Sequence, residues 1–78
     1  MKFAVNIYTW DQQGYQDKVV VEATVEAENP RAALQHVLDN WDLGYDCPRE
    51  AKEVFEESSD ELHAMNGKYS YDVCPAEW

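Results

Sequence analysis

The sequence predicts an α+β domain of order β-β-α-α-β, a three-stranded antiparallel sheet with its helices packed on one face. Three observations carry this expectation. Two runs near the N-terminus alternate apolar and polar residues, a capping pair at Asn29-Pro30 opens a run of period 3.6, and a turn signal at Asn66-Gly67 precedes a further alternating run. The 78 residues make one domain, 1–78, near the smallest that a single core supports without staples.

Residues 2–10 place Phe3, Val5, Ile7 and Thr9 on one side and Lys2, Ala4, Asn6, Tyr8 and Trp10 on the other. After the polar loop DQQGYQD, residues 18–27 alternate again, with Val19, Val21, Ala23, Val25 and Ala27 towards a core and Val20, Glu22, Thr24 and Glu26 away from it. Two such runs joined by a short glycine-containing loop read as an antiparallel hairpin.

In AENPRAALQHVLDNW, Asn29 is placed to accept from the first-turn amides, and Pro30 stands where a missing N–H costs nothing. Ala33, Leu34, Val37, Leu38 and Trp41 share one face of this helix, Arg31, Gln35, His36 and Asp39 the other, and Gly44 marks a stop. A second helical stretch is expected from near Pro48 to Met65, resting Ala51, Val54, Phe55, Leu62 and Met65 on the sheet. Ser58 followed by Glu61 is a capping-box pattern that would break this stretch into two shorter helices. KYSYDV then supplies the third strand through Tyr69, Tyr71 and Val73.

Sixteen acidic against six basic residues give a formal charge of −10, which repels nucleic acid and anionic membranes and draws the chain to basic surfaces. Direct nucleic-acid binding is thereby excluded. An apolar fraction of 45%, with three Trp, five Tyr and two Phe, excludes a disordered acidic tail. MKFAVNIYTW lacks the apolar core of a signal peptide, and no run approaches the ~20 apolar residues of a membrane span, so a cytoplasmic protein is expected. Cys47 and Cys74 form no C-x-x-C pair and are expected as free thiols. A strand returning from Met65 would bring Cys74 towards Cys47, which leaves contact between them open.

The segment EVFEESSDE, residues 53–61, carries five carboxylates and no base. On a helix, Glu50, Glu53, Glu56, Glu57, Asp60 and Glu61 would fall within an arc of roughly 140°. Arg49–Glu53 and Lys52–Glu56 would attract. Glu53–Glu57, Glu56–Asp60 and Glu57–Glu61 would repel, at a cost on the order of 0.2–0.5 kcal/mol each. One carboxylate per roughly 3 Å of helix approaches the ~3.4 Å spacing of phosphates along a DNA strand. Two readings stand: a solvated helix face, or an acidic surface that binds a partner. For the second, Glu50, Glu53, Glu57, Asp60 and Glu61 are the first candidates and Glu56, paired with Lys52, the next. Asp42 and Asp46, with Asp39, Asp72 and Glu77, extend the negative surface.

No catalytic signature, cofactor motif or metal-ligand spacing is present, and the protein is read as a non-enzyme without cofactors. Asp39, Gly44 and Glu50 match positions 1, 6 and 12 of an EF-hand loop, but Trp41 and Leu43 offer no side-chain oxygen at positions 3 and 5. His36 and His63 are expected on solvated helix surfaces. Tyr8, Trp10 and Val20 lie on the outer sheet face, a second contact surface or a homodimer seam, over which Trp78 can fold.

The hairpin beginning MKFAVNIY, the VEAENPRAAL strand-to-helix junction and the acidic EAKEVFEESSDE together resemble small, acidic, phage-encoded anti-CRISPR proteins, in particular type I inhibitors of the DNA-mimic kind. The resemblance covers the whole chain as a pattern and implies a stoichiometric inhibitor, monomeric or weakly dimeric, in the host cytoplasm. It would occupy the Lys/Arg-lined DNA path of a type I CRISPR surveillance complex. The alternative is an acidic interaction module that binds another basic host or phage protein.

Overall fold

The computed structural model describes residues 1–76. It contains five strands and one helix in the order β1 (Lys2–Trp10), β2 (Gln16–Glu26), α1 (Pro30–Asn40), β3 (Glu53–Glu57), β4 (Leu62–Asn66) and β5 (Tyr69–Pro75). All five strands join one sheet in the order β2-β1-β5-β4-β3, and every neighbouring pair is antiparallel. The chain builds a hairpin, crosses one face as α1, enters at the far edge as β3 and returns by a meander that seats β5 against β1.

The core follows from the period of two. Phe3, Val5 and Ile7 of β1 are fully buried opposite Val25, Ala23 and Val21 of β2 on one side, and opposite Pro75, Val73 and Tyr71 of β5 on the other. Over this face α1 lays Ala33, Leu34, Val37 and Leu38, all buried. The helix starts as its sequence requires: Asn29 Oδ1 accepts from the amide of Ala32 at 2.8 Å, and Pro30 occupies the first turn. It ends at Asn40, where Trp41 turns to extended backbone before Gly44 is reached. Residues 41–52 form an irregular connection tied down by Leu43 and Cys47 in the core, by the Tyr71 hydroxyl donating to the Pro48 carbonyl at 2.8 Å, and by an Arg49 guanidinium bond to the Leu38 carbonyl.

The expected three-stranded β-β-α-α-β arrangement is corrected here: the second helical stretch is the β3–β4 hairpin. Leu62 and Ala64 are buried opposite Val73 and Tyr71 while His63 and Met65 face the other way, an alternation that no helix satisfies. Long-range pairing with YSYDV thus outweighs the helix propensity of the Glu, Lys and Ala in 50–57. Extension also relieves the charge repulsion, since residues four apart stand about 13 Å apart along a strand. The Ser58-to-Glu61 pattern makes its capping-type bond in a tight turn instead of a helix. The Ser58 Oγ accepts from the Glu61 amide at 3.2 Å, and the Ser58 amide donates to the Glu61 carbonyl at 2.8 Å.

Two further placements change. An extra residue in β2 between the pairs Ile7↔Val21 and Tyr8↔Val19 forms a bulge, so Val20 packs on the core and Val19 stands on the open face, the reverse of the expected alternation. Cys47 lies in the core beside α1 whereas Cys74 faces the opposite side of the sheet, opposite Ala4; both are free thiols, and the sheet separates them. The β4–β5 turn uses Gly67 at its first central position with φ +62°, a conformation that suits glycine and the type II′ hairpin. The position expected for Trp78 lies outside the described residues, as does that of Glu77.

Strand and helix readings of 53–65 both bury Leu62 and part at Phe55, which the helix would bury and the strand exposes. Leu62→Ala, at a fully buried site, is expected to lose about 2–5 kcal/mol. Phe55→Ala, at a residue 64% exposed, should cost less than about 1 kcal/mol. Urea unfolding of the two variants measures both; a Phe55 loss as large as that of Leu62 would return Phe55 to the core.

Candidate functional site

Among the described residues only one face of the sheet carries a helix, which leaves the other face open. Strand register places a polar row across it, one residue from each strand in turn: Glu22, Asn6, Asp72, His63 and Glu56. The row is joined at its centre. The Tyr8 hydroxyl donates to Asp72 Oδ2 at 2.7 Å, and Asp72 Oδ1 lies 3.0 Å from His63 Nδ1. On its other side, His63 Nε2 faces Glu61 Oε1 at 3.3 Å and Glu56 Oε2 at 3.8 Å. The Phe55 ring stacks on the imidazole at 6.2 Å between centroids. Tyr8 and Trp10 pack edge to face 5.2 Å apart, and the Trp10 indole N–H donates to Ser70.

These contacts set the protonation states. The hydrogen bond to Asp72 is the largest influence raising the His63 pKa above its ordinary value. The Glu61 hydrogen bond and the charges of Asp72 and Glu56 add to it, and partial burial opposes them. Both ring nitrogens point at carboxylates, which favours the charged, doubly protonated ring. Burial, followed by the hydrogen bond to Asp72, pushes Tyr8 up to about 12, which leaves its hydroxyl a fixed donor at neutral pH. Burial likewise raises the Cys47 thiol, which disfavours a reactive thiolate.

The predicted acidic stripe becomes a different surface. Glu53 and Glu56 project on the open face of β3, opposite Met65 and His63, while Glu57 pairs opposite Leu62 and points to the helix side. There it takes a bidentate ion pair from Arg31 at 2.8 and 3.0 Å, which holds its carboxyl below the usual range. Asp60 and Glu61 form the β3–β4 turn, with Asp60 accepting from the Ser58 hydroxyl. Glu50 sits in the connection before β3, where its carbonyl accepts from Asn66. Asp42 and Asp46 are elsewhere: they line a shallow hollow of about 370 Å³ with Lys18 and Lys68, at the end of the sheet opposite the β3–β4 turn.

The structure therefore brings Glu53, Glu56, Glu57, Asp60 and Glu61 together on one edge hairpin, keeps Glu50 beside them and removes Asp42 and Asp46. His63, expected on a solvated helix surface, is instead half-buried on the open face, and its link through Asp72 to Tyr8 is the part that sequence reasoning missed. The signal for it was the alternation of Leu62-His63-Ala64-Met65, which sets His63 opposite Asp72 once LHAMN is read as a strand. Among the described residues no group of three or more His, Cys, Asp or Glu is arranged to hold a metal ion, and no helix is long and apolar enough to cross a membrane.

The raised His63 value has a definite sign. Stability contributed by the charged imidazole is complete below its ordinary value of about 6.5 and is lost as pH rises through the higher folded-state value. Asp72→Asn, which removes the first cause of the shift, is expected to bring the His63 titration down, followed through the ring resonances by NMR. An unchanged midpoint would detach His63 from Asp72.

Comparison with protein-family models, with curated proteins and with solved structures found no match for this chain.

Proposed function

We propose that this protein is a non-enzymatic inhibitor that offers the carboxylates of its β3–β4 hairpin to a cationic protein surface, in the place where nucleic-acid phosphates would lie. The observation that supports this is the edge hairpin itself. Of the five carboxylates it gathers, Glu57 alone is held by an arginine, and Glu53 and Asp60 have no ion-pair partner among the described residues. In a molecule of formal charge −10, this leaves a negative edge able to steer towards basic surfaces and to be weakened by salt. The target placed first is the DNA path of a type I CRISPR surveillance complex, which makes the protein a stoichiometric anti-CRISPR acting in the host cytoplasm.

One observation favours a second reading, docking onto a basic host or phage protein unrelated to DNA defence. Val54 and Phe55, 42% and 64% exposed, stand among the acids. Apolar anchors within a charged rim suit a protein interface better than a substitute for phosphates.

The test is a DNA-binding assay of a purified type I surveillance complex at low salt. Saturating protein should abolish target-DNA binding, and Glu53→Lys with Glu56→Lys should restore it. Undiminished DNA binding removes the mimic reading. Phe55→Ala separates the two interfaces: the mimic tolerates it, whereas an anchored protein interface loses about 1 kcal/mol or more of binding.

A further inference from the structure

The carboxylates of the acidic hairpin are not all free to meet a partner, because His63 holds two of them. Its imidazole touches every element around it on the open face: Asp72 of β5 at 3.0 Å, Glu61 of the turn at 3.3 Å, Glu56 of β3 at 3.8 Å, and the Phe55 ring in the same strand. Tyr8 of β1 reaches the group through Asp72. The residue thus links the sheet centre to its acidic edge. Among the described residues every ionisable group in direct contact with the imidazole is a carboxylate, so the ring's own proton decides whether this linkage attracts or repels.

We propose that His63 is a proton-operated latch that fastens the β3–β4 hairpin to β5 and regulates how much of the hairpin's negative charge is available for docking. With both nitrogens protonated, the ring donates Nδ1–H to Asp72 and Nε2–H towards Glu61 and Glu56. Loss of one proton turns one of these donors into a lone pair facing a carboxylate, and that contact becomes repulsive. The cost falls on β3, which is short, exposed throughout and hydrogen-bonded to the sheet along one side only. Deprotonation therefore has two effects of one origin. The edge hairpin loosens, and Glu56 and Glu61 lose the cation that neutralises them. The ring is not sealed off, since 23% of its side chain remains exposed, and protons exchange with solvent directly. His36 on α1 lies on the other side of the sheet and takes no part; it packs against Trp41.

The second effect rests on the docking reading above, and the first does not, so one experiment separates them. Amide exchange across residues 53–62 is measured by NMR at pH 6.0 and 8.5, corrected for intrinsic rates, in the wild type and in His63→Gln. In parallel, binding of a lysine homopolymer peptide is measured at both pH values by calorimetry. Wild-type protection is expected to fall by up to about tenfold for each unit by which the folded His63 pKa exceeds 6.5. In His63→Gln it should be independent of pH. Peptide affinity should rise severalfold from pH 6.0 to 8.5 in the wild type and stay level in the variant. A flat wild-type profile, or the same fall in His63→Gln, overturns the latch. Should the variant fail to fold, the wild-type profile decides alone, with the His63 ring midpoint required to coincide with that of the hairpin amides. A peptide that binds at neither pH while protection follows His63 sinks the docking reading and leaves the latch standing. Equal binding at both pH values with protection unchanged does the reverse.

Discussion

The pairing of β1 with β5 is the interaction on which the rest of this molecule depends. It seats the first and last strands side by side at the interior of the sheet and buries Phe3, Val5, Ile7, Tyr71 and Val73 beneath α1. Because side chains alternate along a strand, this register leaves no freedom on the opposite face: slipping by one residue would exchange core and surface along the whole pair. Asp72 must then face away from the core opposite Asn6, and β4, paired to the outer side of β5, must place His63 beside it. The polar row across the open face follows from the packing of the apolar one.

The same constraint explains how a chain with so many uncompensated acids folds. A helix would have stacked Glu53 on Glu57 and Glu57 on Glu61. The hairpin spreads them along an extended edge, sends Glu57 to Arg31 on the helix side, and gives Glu56 and Glu61 a shared imidazole. Repulsion falls without the loss of any carboxylate from the surface. Placing acids on an outermost strand has a second consequence, since charge and a bulge at Phe55 discourage edge-to-edge aggregation. By its charge, an edge of this kind resists pairing with copies of itself.

Much of the fold outside 48–65 was legible in the residues. Strand β1, the Asn29 cap, the buried face of α1 and the inward set Tyr69, Tyr71 and Val73 all follow from local periodicity and capping chemistry, which act within a few residues. The failure fell on 48–65, where local and distant preferences conflict. Glu, Lys and Ala with a capping-box pattern favour a helix, whereas Leu62 and Ala64 favour a strand that is stable only once β5 is in place. The β2 bulge was hidden for a related reason, since an inserted residue leaves both flanking alternations intact. At the site, the density of acids was readable and their grouping on one hairpin emerges from it. The contacts of His63 were not, because Asp72 beside it and Tyr8 beyond Asp72 come from strands 9 and 55 residues away in sequence.

The most direct measurement is the pattern of backbone proton contacts across 53–73 by NMR. The account requires cross-strand contacts between 62–66 and 69–73 in the register that sets His63 opposite Asp72 and Ala64 opposite Tyr71. A run of sequential amide–amide contacts with i,i+3 contacts through 53–65 would restore the helix, dissolve the row on the open face and contradict the account.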